Sequence, residues 1–481
     1  QRDMSGGDKF SSILKLTELD DFITPSQECI KPVEILRTKV CKGTNVHIES
    51  DGTYMEVGDD GQKSKMEKAT ITLNDCLACS GCITSAESVL ITAQSTAEFM
   101  SVLAKNAESR QYTVVVSLSP QSRASIAAHF GVSSKTAQAR LESFFQQTLK
   151  VDYVFDTGFS REFSLLESCA EFVARFKKTI DAPLPMLCSA CPGWICYAEK
   201  THGEYILPYI STTKSPQQIM GTLVKYYLGD KLLNNQSNRP SEIYHVTIMP
   251  CYDKKLEASR SDFYSDLFKS KDVDCVLSTS EVLELLKEKN VDFNSIDETM
   301  ADTGSAQEAQ QAQLNRCLFK NIDESSGDLF GVEGSSGGYF EFLYRYAARE
   351  LFGITVDKIE YQTGRNTDFM EASIEVSGKK VLCFSKAYGF RNIQNIVRKI
   401  KTGKIPYHFI EVMACPSGCI NGGGQIKAGS GTIKEQKVLI QQSEDRYNEQ
   451  SVKLPLEDKR VTEIYDLWLN GVFSADAKSK L

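Results

Sequence analysis

Histidine and tryptophan are scarce: 5 and 2 among 481 residues. His47, His129, His202, His245 and His408 stand far apart with no spacing suited to a metal, so each reads as structural or exposed. Long apolar runs are missing too, and no stretch is long enough to span a bilayer. Positive charge is in deficit, with 55 Lys and Arg against 63 Asp and Glu and a formal net charge of −8. With no basic stripe evident, that balance argues against direct nucleic-acid binding. The start, Gln1-Arg2-Asp3-Met4, lacks the apolar segment of a secretory signal. No repeat of fixed period is present. A hydrophobic content of 41% with 25% charged residues describes a soluble globular chain, long enough for two to four domains.

Cysteine is plentiful: 15 residues. Without a secretory signal, that number points to a reducing compartment, where thiols bind metal more often than they pair. Eight of them fall into two sets that could each hold an iron–sulfur cluster. One contains Cys76-x2-Cys79-x2-Cys82, the opening of a bacterial ferredoxin run. Where that run expects its fourth cysteine stands Ala86, so the last ligand must come from Cys29 or Cys41. Zinc would suit four such thiolates as well. The other set is Cys191, Cys251, Cys415 and Cys419.

The chain divides into an N-terminal unit (1–110), an α/β core (111–434) and a polar, helical C-terminal segment (435–481). Strands are predicted at Thr113–Leu118, Tyr153–Asp156, Leu184–Leu187, Tyr244–Met249, Asp274–Ser278, Lys380–Ser385 and Tyr407–Met413, with helices between many of them. That alternation implies largely parallel sheets. A Gln- and Ser-rich stretch, about 290–326, reads as a surface insertion. Glu435–Arg460 should cover the surface, and Val461–Leu469 should close the fold with Trp468 packed inward.

Cys191, Cys251 and Cys415 each follow the carboxyl end of a predicted strand, where open α/β sheets bind ligands. Cys191 and Cys415 precede proline, which suits a first helical position, and a helix N-terminus favours thiolate. Cys419 lies one turn beyond Cys415. The following Gly422-Gly423-Gly424 would let backbone approach a bulky inorganic group. Gly334–Gly338, before a predicted helix at Tyr339–Leu351, lacks the ending of a P-loop. Cys169, Cys196, Cys275, Cys317 and Cys383 read as small buried hydrophobes.

Ser189–Trp194, Lys214-Ser215-Pro216-Gln217-Gln218, Met249–Glu257, Gly334–Gly338 and Glu411–Gln425 together resemble the iron-only hydrogenase superfamily. The resemblance covers most of Tyr112–Lys427. Through Leu73–Cys82 and Trp194–Lys200, the chain is most similar to the eukaryotic cytosolic iron–sulfur assembly factors of that superfamily. The resemblance implies a hydrogenase-like core of two α/β lobes with largely parallel sheets, plus a small N-terminal ferredoxin-like cluster domain. It implies two [4Fe–4S] clusters, one on Cys29, Cys76, Cys79 and Cys82 and one on Cys191, Cys251, Cys415 and Cys419. It also places Gly334–Gly338 beside the second cluster.

In hydrogenases the position of Ala190 is a proton-relaying cysteine, and the position of Cys419 bridges to a diiron centre. A methyl group transfers no proton, so the implied state is a retained cluster with lost hydrogen chemistry. Lys254 still fits a position that contacts the diiron ligands. Cys188, two residues before Ala190, is not taken as its replacement.

The function implied by the resemblance is non-enzymatic. A [4Fe–4S] cluster would be carried from a cytosolic P-loop NTPase scaffold to a targeting complex of a WD40 propeller, a small cysteine-bearing subunit and a HEAT-repeat protein. The clients would be cytosolic and nuclear apoproteins. The location implied is the cytoplasm, with the nucleus as a second site. Relatives usually end in a tail with a terminal tryptophan that docks on the targeting complex, whereas this chain ends Ser479-Lys480-Leu481. The alternatives are an iron–sulfur redox enzyme or electron-transfer protein, and a scaffold that its clusters merely stabilise.

Overall fold

A computed structural model describes residues 45–48, 54–57, 63–65, 85–232, 240–298, 318–323, 326–363, 366–429 and 432–481. Cys29, Cys41, Cys76, Cys79, Cys82 and Cys317 lie outside the described residues, and so does most of the N-terminal unit. Within that unit Asn45–Ile48, Tyr54–Val57 and Lys63–Lys65 pair as a small antiparallel sheet.

The core strands are β1 (Thr113–Leu118), β2 (Tyr153–Asp156), β3 (Met186–Cys188), β4 (Ile243–Met249), β5 (Cys275–Ser278), β6 (Gln362–Thr363), β7 (Phe369–Val376), β8 (Lys379–Tyr388) and β9 (Phe409–Met413). The helices that matter here are α1 (Pro120–Phe130), α2 (Thr157–Phe176), α3 (Pro192–Ile206), α4 (Asp253–Ala258), α5 (Thr279–Glu288), α6 (Tyr339–Phe352), α7 (Phe390–Lys401) and α8 (Ile433–Tyr447).

One lobe is built on an all-parallel sheet of order β5-β4-β1-β2. Its strands are buried on both faces, as a sheet covered by helices on both sides requires. The second sheet runs β6-β7-β8-β9-β3 and is mixed. There β9 lies parallel to β8 and β3, while β7 and β8 form an antiparallel hairpin. The turn of that hairpin is Ser377-Gly378, both with positive φ, which matches the twist of a two-residue hairpin. Parallel pairing therefore surrounds the three strands that precede cysteines, and the antiparallel part lies at the far edge.

Local signals explain the main helix starts. Ser119 caps α1 with Pro120 at its first position, and Gly131 ends it in the left-handed region. Ser278 and Glu281 form a reciprocal capping box at the head of α5. β3 begins two residues later than predicted, because Pro185 has no N–H for the ladder.

Three sequence expectations change. The ends of the expected insertion are packed inside: Phe293 stacks on Phe130 at 4.4 Å, Phe319 is buried, and Lys320 pairs with Glu142 at 2.8 Å. The C-terminal segment is more than a cover. Tyr447 of α8 is buried, donates to the Gly334 carbonyl at 3.1 Å and meets Arg161. Near the end of the chain, Tyr465 and Leu469 pack inward, and Trp468 is only half-buried against Tyr227.

Cationic residues are also less evenly spread than the net charge suggests. Residues 376–410 contain Lys379, Lys380, Lys386, Arg391, Arg398, Lys399, Lys401 and Lys404 with no Asp or Glu. This corrects the reading that no basic stripe exists.

His245 sits in the middle of the first lobe and is fully buried. Its Nδ1 lies 3.0 Å from the Asp272 carbonyl, which can only accept, so Nδ1 carries the proton and Nε2 accepts from Ser117 Oγ at 2.8 Å. Burial lowers its pKa to about 3, with the nearby Lys225 acting in the same direction. A depressed folded pKa gives stability that is present above the unfolded value of about 6.5 and is lost as pH falls toward 3. The full loss is on the order of 5 kcal/mol. Acid unfolding followed by circular dichroism should therefore be shallower between pH 6.5 and 4.5 in His245→Gln than in the parent. An identical slope would contradict a buried neutral imidazole.

Candidate iron–sulfur site

Cys191 lies three residues past the end of β3, Cys251 two past β4, and Cys415 two past β9. β4 belongs to the first sheet, and β3 and β9 are neighbours in the second, so the cysteines converge from both lobes at strand carboxyl ends. Cys191 is the N-cap of α3, with Pro192 at the first helical position as expected. Its N–H is held by Ser189 Oγ at 3.1 Å, and its sulfur accepts the Ala414 N–H at 3.4 Å. That bond ties the first cysteine loop directly to the last.

Cys415 differs from expectation: no α-helix follows Pro416. Ser417 turns left-handed, the Gly418 N–H returns to the Cys415 carbonyl at 3.1 Å, and Cys419 stands in the short 3-10 turn Gly418–Asn421. The Cys419 N–H is bonded to Ser336 Oγ at 2.9 Å, so the Gly334–Gly338 loop does reach the site.

The glycine run makes close approaches to protein. An added Cβ at Gly422 would lie 2.2 Å from the Pro250 carbonyl oxygen, and one at Gly424 would lie 2.8 Å from Ser278 Cβ. The Gly424 N–H donates to Pro250 at 2.9 Å, and its carbonyl accepts from Ser280. Close approach is thus to the Cys251 loop and the head of α5, and it clamps the two lobes together. Gln425 extends the clamp by donating to the Gln121 carbonyl at 3.1 Å and lying 3.4 Å from the Cys419 carbonyl.

The four thiols share one electrostatic environment. Burial pushes each of them up. Cys251 is raised further by Asp253 and then by Cys191, Cys415 and Cys419. Cys419 is raised to about 12, by burial first and Cys191 next, with Lys254 opposing. Ionising all four would set like charges together in a poorly solvated place, a cost that a bound cationic centre would offset. Among the described residues no group of three or more His, Cys, Asp or Glu is placed to hold a single metal ion. Lys254 lies close by, fixed by Ser215 Oγ at 3.0 Å and Glu257 at 2.8 Å. Cys191 and Cys251 are buried, whereas Cys415 and Cys419 retain some exposure.

Cys169 and Cys275 are buried as expected, and Cys196 and Cys383 are half-buried. Cys188 turns to Ser168 Oγ at 3.5 Å. His202 is held between the Tyr197 and Tyr205 hydroxyls, and His408 accepts the Cys383 N–H. Sequence reasoning missed Gln121, and it placed the loop of Ser336 beside the site without singling out that side chain. The Ser-Pro-Gln that opens α1 was a usable signal for Gln121, while Ser336 had none beyond its glycine-rich surroundings.

Gly418 is the tightest point of the site. Its φ is +72°, and a Cβ there would come 1.9 Å from Ser336 Oγ. Gly418→Ala should displace Ser336, release the Cys419 N–H and lower bound iron toward half. Gly131→Ala has a similar φ of +69° but open space, and should cost only about 1 kcal/mol of stability with iron retained. Iron assay and thermal melts of both variants check this, and equal iron in the two would contradict it.

The comparisons agree with this geometry. Residues 112–423 match the family model described as iron only hydrogenase large subunit, C-terminal domain. A probable cytosolic Fe-S cluster assembly factor of Dictyostelium discoideum is 56% identical, over 99% of this chain and 96% of its own length. The cytosolic iron-sulfur assembly component 3 of Rattus norvegicus is 50% identical, over 98% and 95%. This chain belongs to the hydrogenase-like family of cytosolic iron–sulfur cluster assembly factors. Family members named in this way are assembly factors, not enzymes. The fold is that of [FeFe]-hydrogenases. A structure from work on oxygen inactivation of the H cluster gives a TM-score of 0.66 at 25% identity, covering 80% of this chain and 97% of the other. The apo [FeFe]-hydrogenase of Chlamydomonas reinhardtii gives 0.65 at 25% identity, covering 79% and 96%.

Proposed function

We propose that this chain is a non-enzymatic component of cytosolic iron–sulfur protein assembly. It holds a [4Fe–4S] cluster on Cys191, Cys251, Cys415 and Cys419 and relays a cluster toward cytosolic and nuclear apoproteins. Near-complete coverage by relatives named as assembly factors carries this reading. Ala190 supports it, since a methyl group offers no route for a proton at that point. A second [4Fe–4S] cluster on Cys29, Cys76, Cys79 and Cys82 completes the assignment. The proposed donor is a P-loop NTPase scaffold. The proposed acceptor is a targeting complex of WD40 propeller, small cysteine-bearing subunit and HEAT-repeat protein, in the cytosol.

When bound, the cluster supplies a transferable iron–sulfur unit, and the protein supplies its shelter. Cys191 and Cys251 are buried against the two lobes. Cys415 and Cys419 stand on a turn that is partly exposed, so a competing thiol would reach them first. Lys254 offsets the negative charge of the ligands.

An anaerobic transfer assay tests the proposal. Holoprotein is mixed with an apo-acceptor, and acceptor activity is followed beside the loss of donor absorbance. Rapid activation with loss of one cluster is the expected result. Reversible reduction without transfer would identify an electron carrier instead, and neither behaviour would leave only a stabilised scaffold.

A further inference from the structure

α7 carries no acidic residue, and among its charged side chains Arg391, Arg398 and Lys401 are exposed while Lys399 is half-buried. Its buried face is Ile393, Ile396, Val397 and Ile400, so the outward arc is left to cations and amides. Lys404 follows just past the helix and is also exposed. Among the described residues no carboxylate forms an ion pair with these five cations. Two of them rest on aromatic rings, Lys399 over Tyr407 at 5.2 Å and Lys401 over Tyr205 at 5.6 Å. Such contacts hold an ammonium without neutralising it. The field reaches the neighbouring helix, where Lys401 adds to the burial that lowers the pKa of His202.

The position of α7 gives this patch a purpose. Gly389, its N-cap, donates to the Met413 carbonyl at 2.8 Å, and Pro416 lies beside it, 3.6 Å from where a Cβ would stand. The basic face therefore begins at the Cys415 loop, on the side where the cysteines keep some exposure.

We propose that the outward face of α7, with Lys404, is a docking surface for an acidic segment of a partner protein. The chain as a whole carries a net charge of −8, and this run of cations without a carboxylate is a face that attracts such a segment. A helix of 12 residues spans about 18 Å, the scale of a short acidic peptide. Nucleic acid fits less well, because the surrounding negative charge would repel a long polyanion. The inference goes beyond the relay reading and does not depend on it, since docking is read through charge alone.

The test uses the full-length holoprotein and a fluorescein-labelled poly-glutamate peptide of about twelve residues, followed by anisotropy. A poly-glutamine peptide and an oligo-dT of matched charge serve as comparators. Binding of poly-glutamate should weaken at least tenfold between about 50 and 200 mM salt. It should also weaken at least tenfold when Arg391, Arg398, Lys401 and Lys404 are all changed to Gln, with iron content unchanged. Arg398→Gln alone, an exposed single change, should weaken it about two- to threefold, which keeps the test decisive if the fourfold variant is unstable. Lys135→Gln with Lys269→Gln removes exposed cations elsewhere and should change binding by less than twofold. Equal loss in that control would reduce the effect to net charge and overturn the proposal. Tighter binding of oligo-dT than of poly-glutamate, or no binding of poly-glutamate, would overturn it as well.

Discussion

Cys415→Ala should lower bound iron from about eight to about four atoms per chain and roughly halve the absorbance near 400 nm, while the protein stays folded. The reasoning begins with position. Cys415 stands on a turn and is partly exposed, so its removal opens no cavity in either apolar core. What it removes is one of the four proposed ligand sulfurs, and one iron of the cube is then left without a cysteine, which makes the cluster labile. The turn itself should survive, because it is tied by the Gly418 and Cys419 backbone bonds and by Gly389 donating to Met413. Thermal melting should change by a few degrees only. Unchanged iron in Cys415→Ala would contradict this prediction. Aggregation in place of iron loss would show that this cluster holds the lobes together.

Cys76→Ala should act the other way and sharply reduce soluble protein. The N-terminal unit is small, and a small unit buries too little of its surface to be stable without help, so a metal centre would supply much of its folding free energy. Structural metal sites contribute on the order of 10 kcal/mol, more than such a small unit gains from burial. The measurement is the soluble fraction and the protease resistance of residues 1–110 in the two cysteine variants, prepared side by side. Soluble Cys76→Ala that retains all its iron would sink the structural assignment of the first set. The contrast between the variants is the substance of the prediction: the first set supports folding, and the second holds the cluster nearer to exchange.

The convergence of Cys191, Cys251 and Cys415 could be read from sequence because each stands just beyond a short, strongly apolar run. A buried parallel strand leaves that run, and its carboxyl end is where loops gather. What surrounds the cysteines was harder to see. Ser336 reaches Cys419 across 83 residues of chain, and no local periodicity encodes such a contact. The glycine run was recognised as a place of close approach, and the Pro250 carbonyl, which it meets, had no signal in the sequence.

Pro416 suggested a helix, and the left-handed Ser417 cancels it; proline fixes its own φ but not that of the next residue. Phe319 and Lys320 were hidden by a glutamine-rich neighbourhood that dominates the composition of the segment. Trp468 was judged by its size, whereas helical spacing turned Tyr465 and Leu469 inward. A net charge of −8 concealed the cations of α7, because a sum carries no information about location.

A Mössbauer spectrum of anaerobically purified, iron-57-labelled protein tests the central claim most directly. The account predicts two cubane signals and nothing else, with one of them lost in Cys415→Ala. An added low-spin diiron component would contradict it and restore hydrogen chemistry despite Ala190.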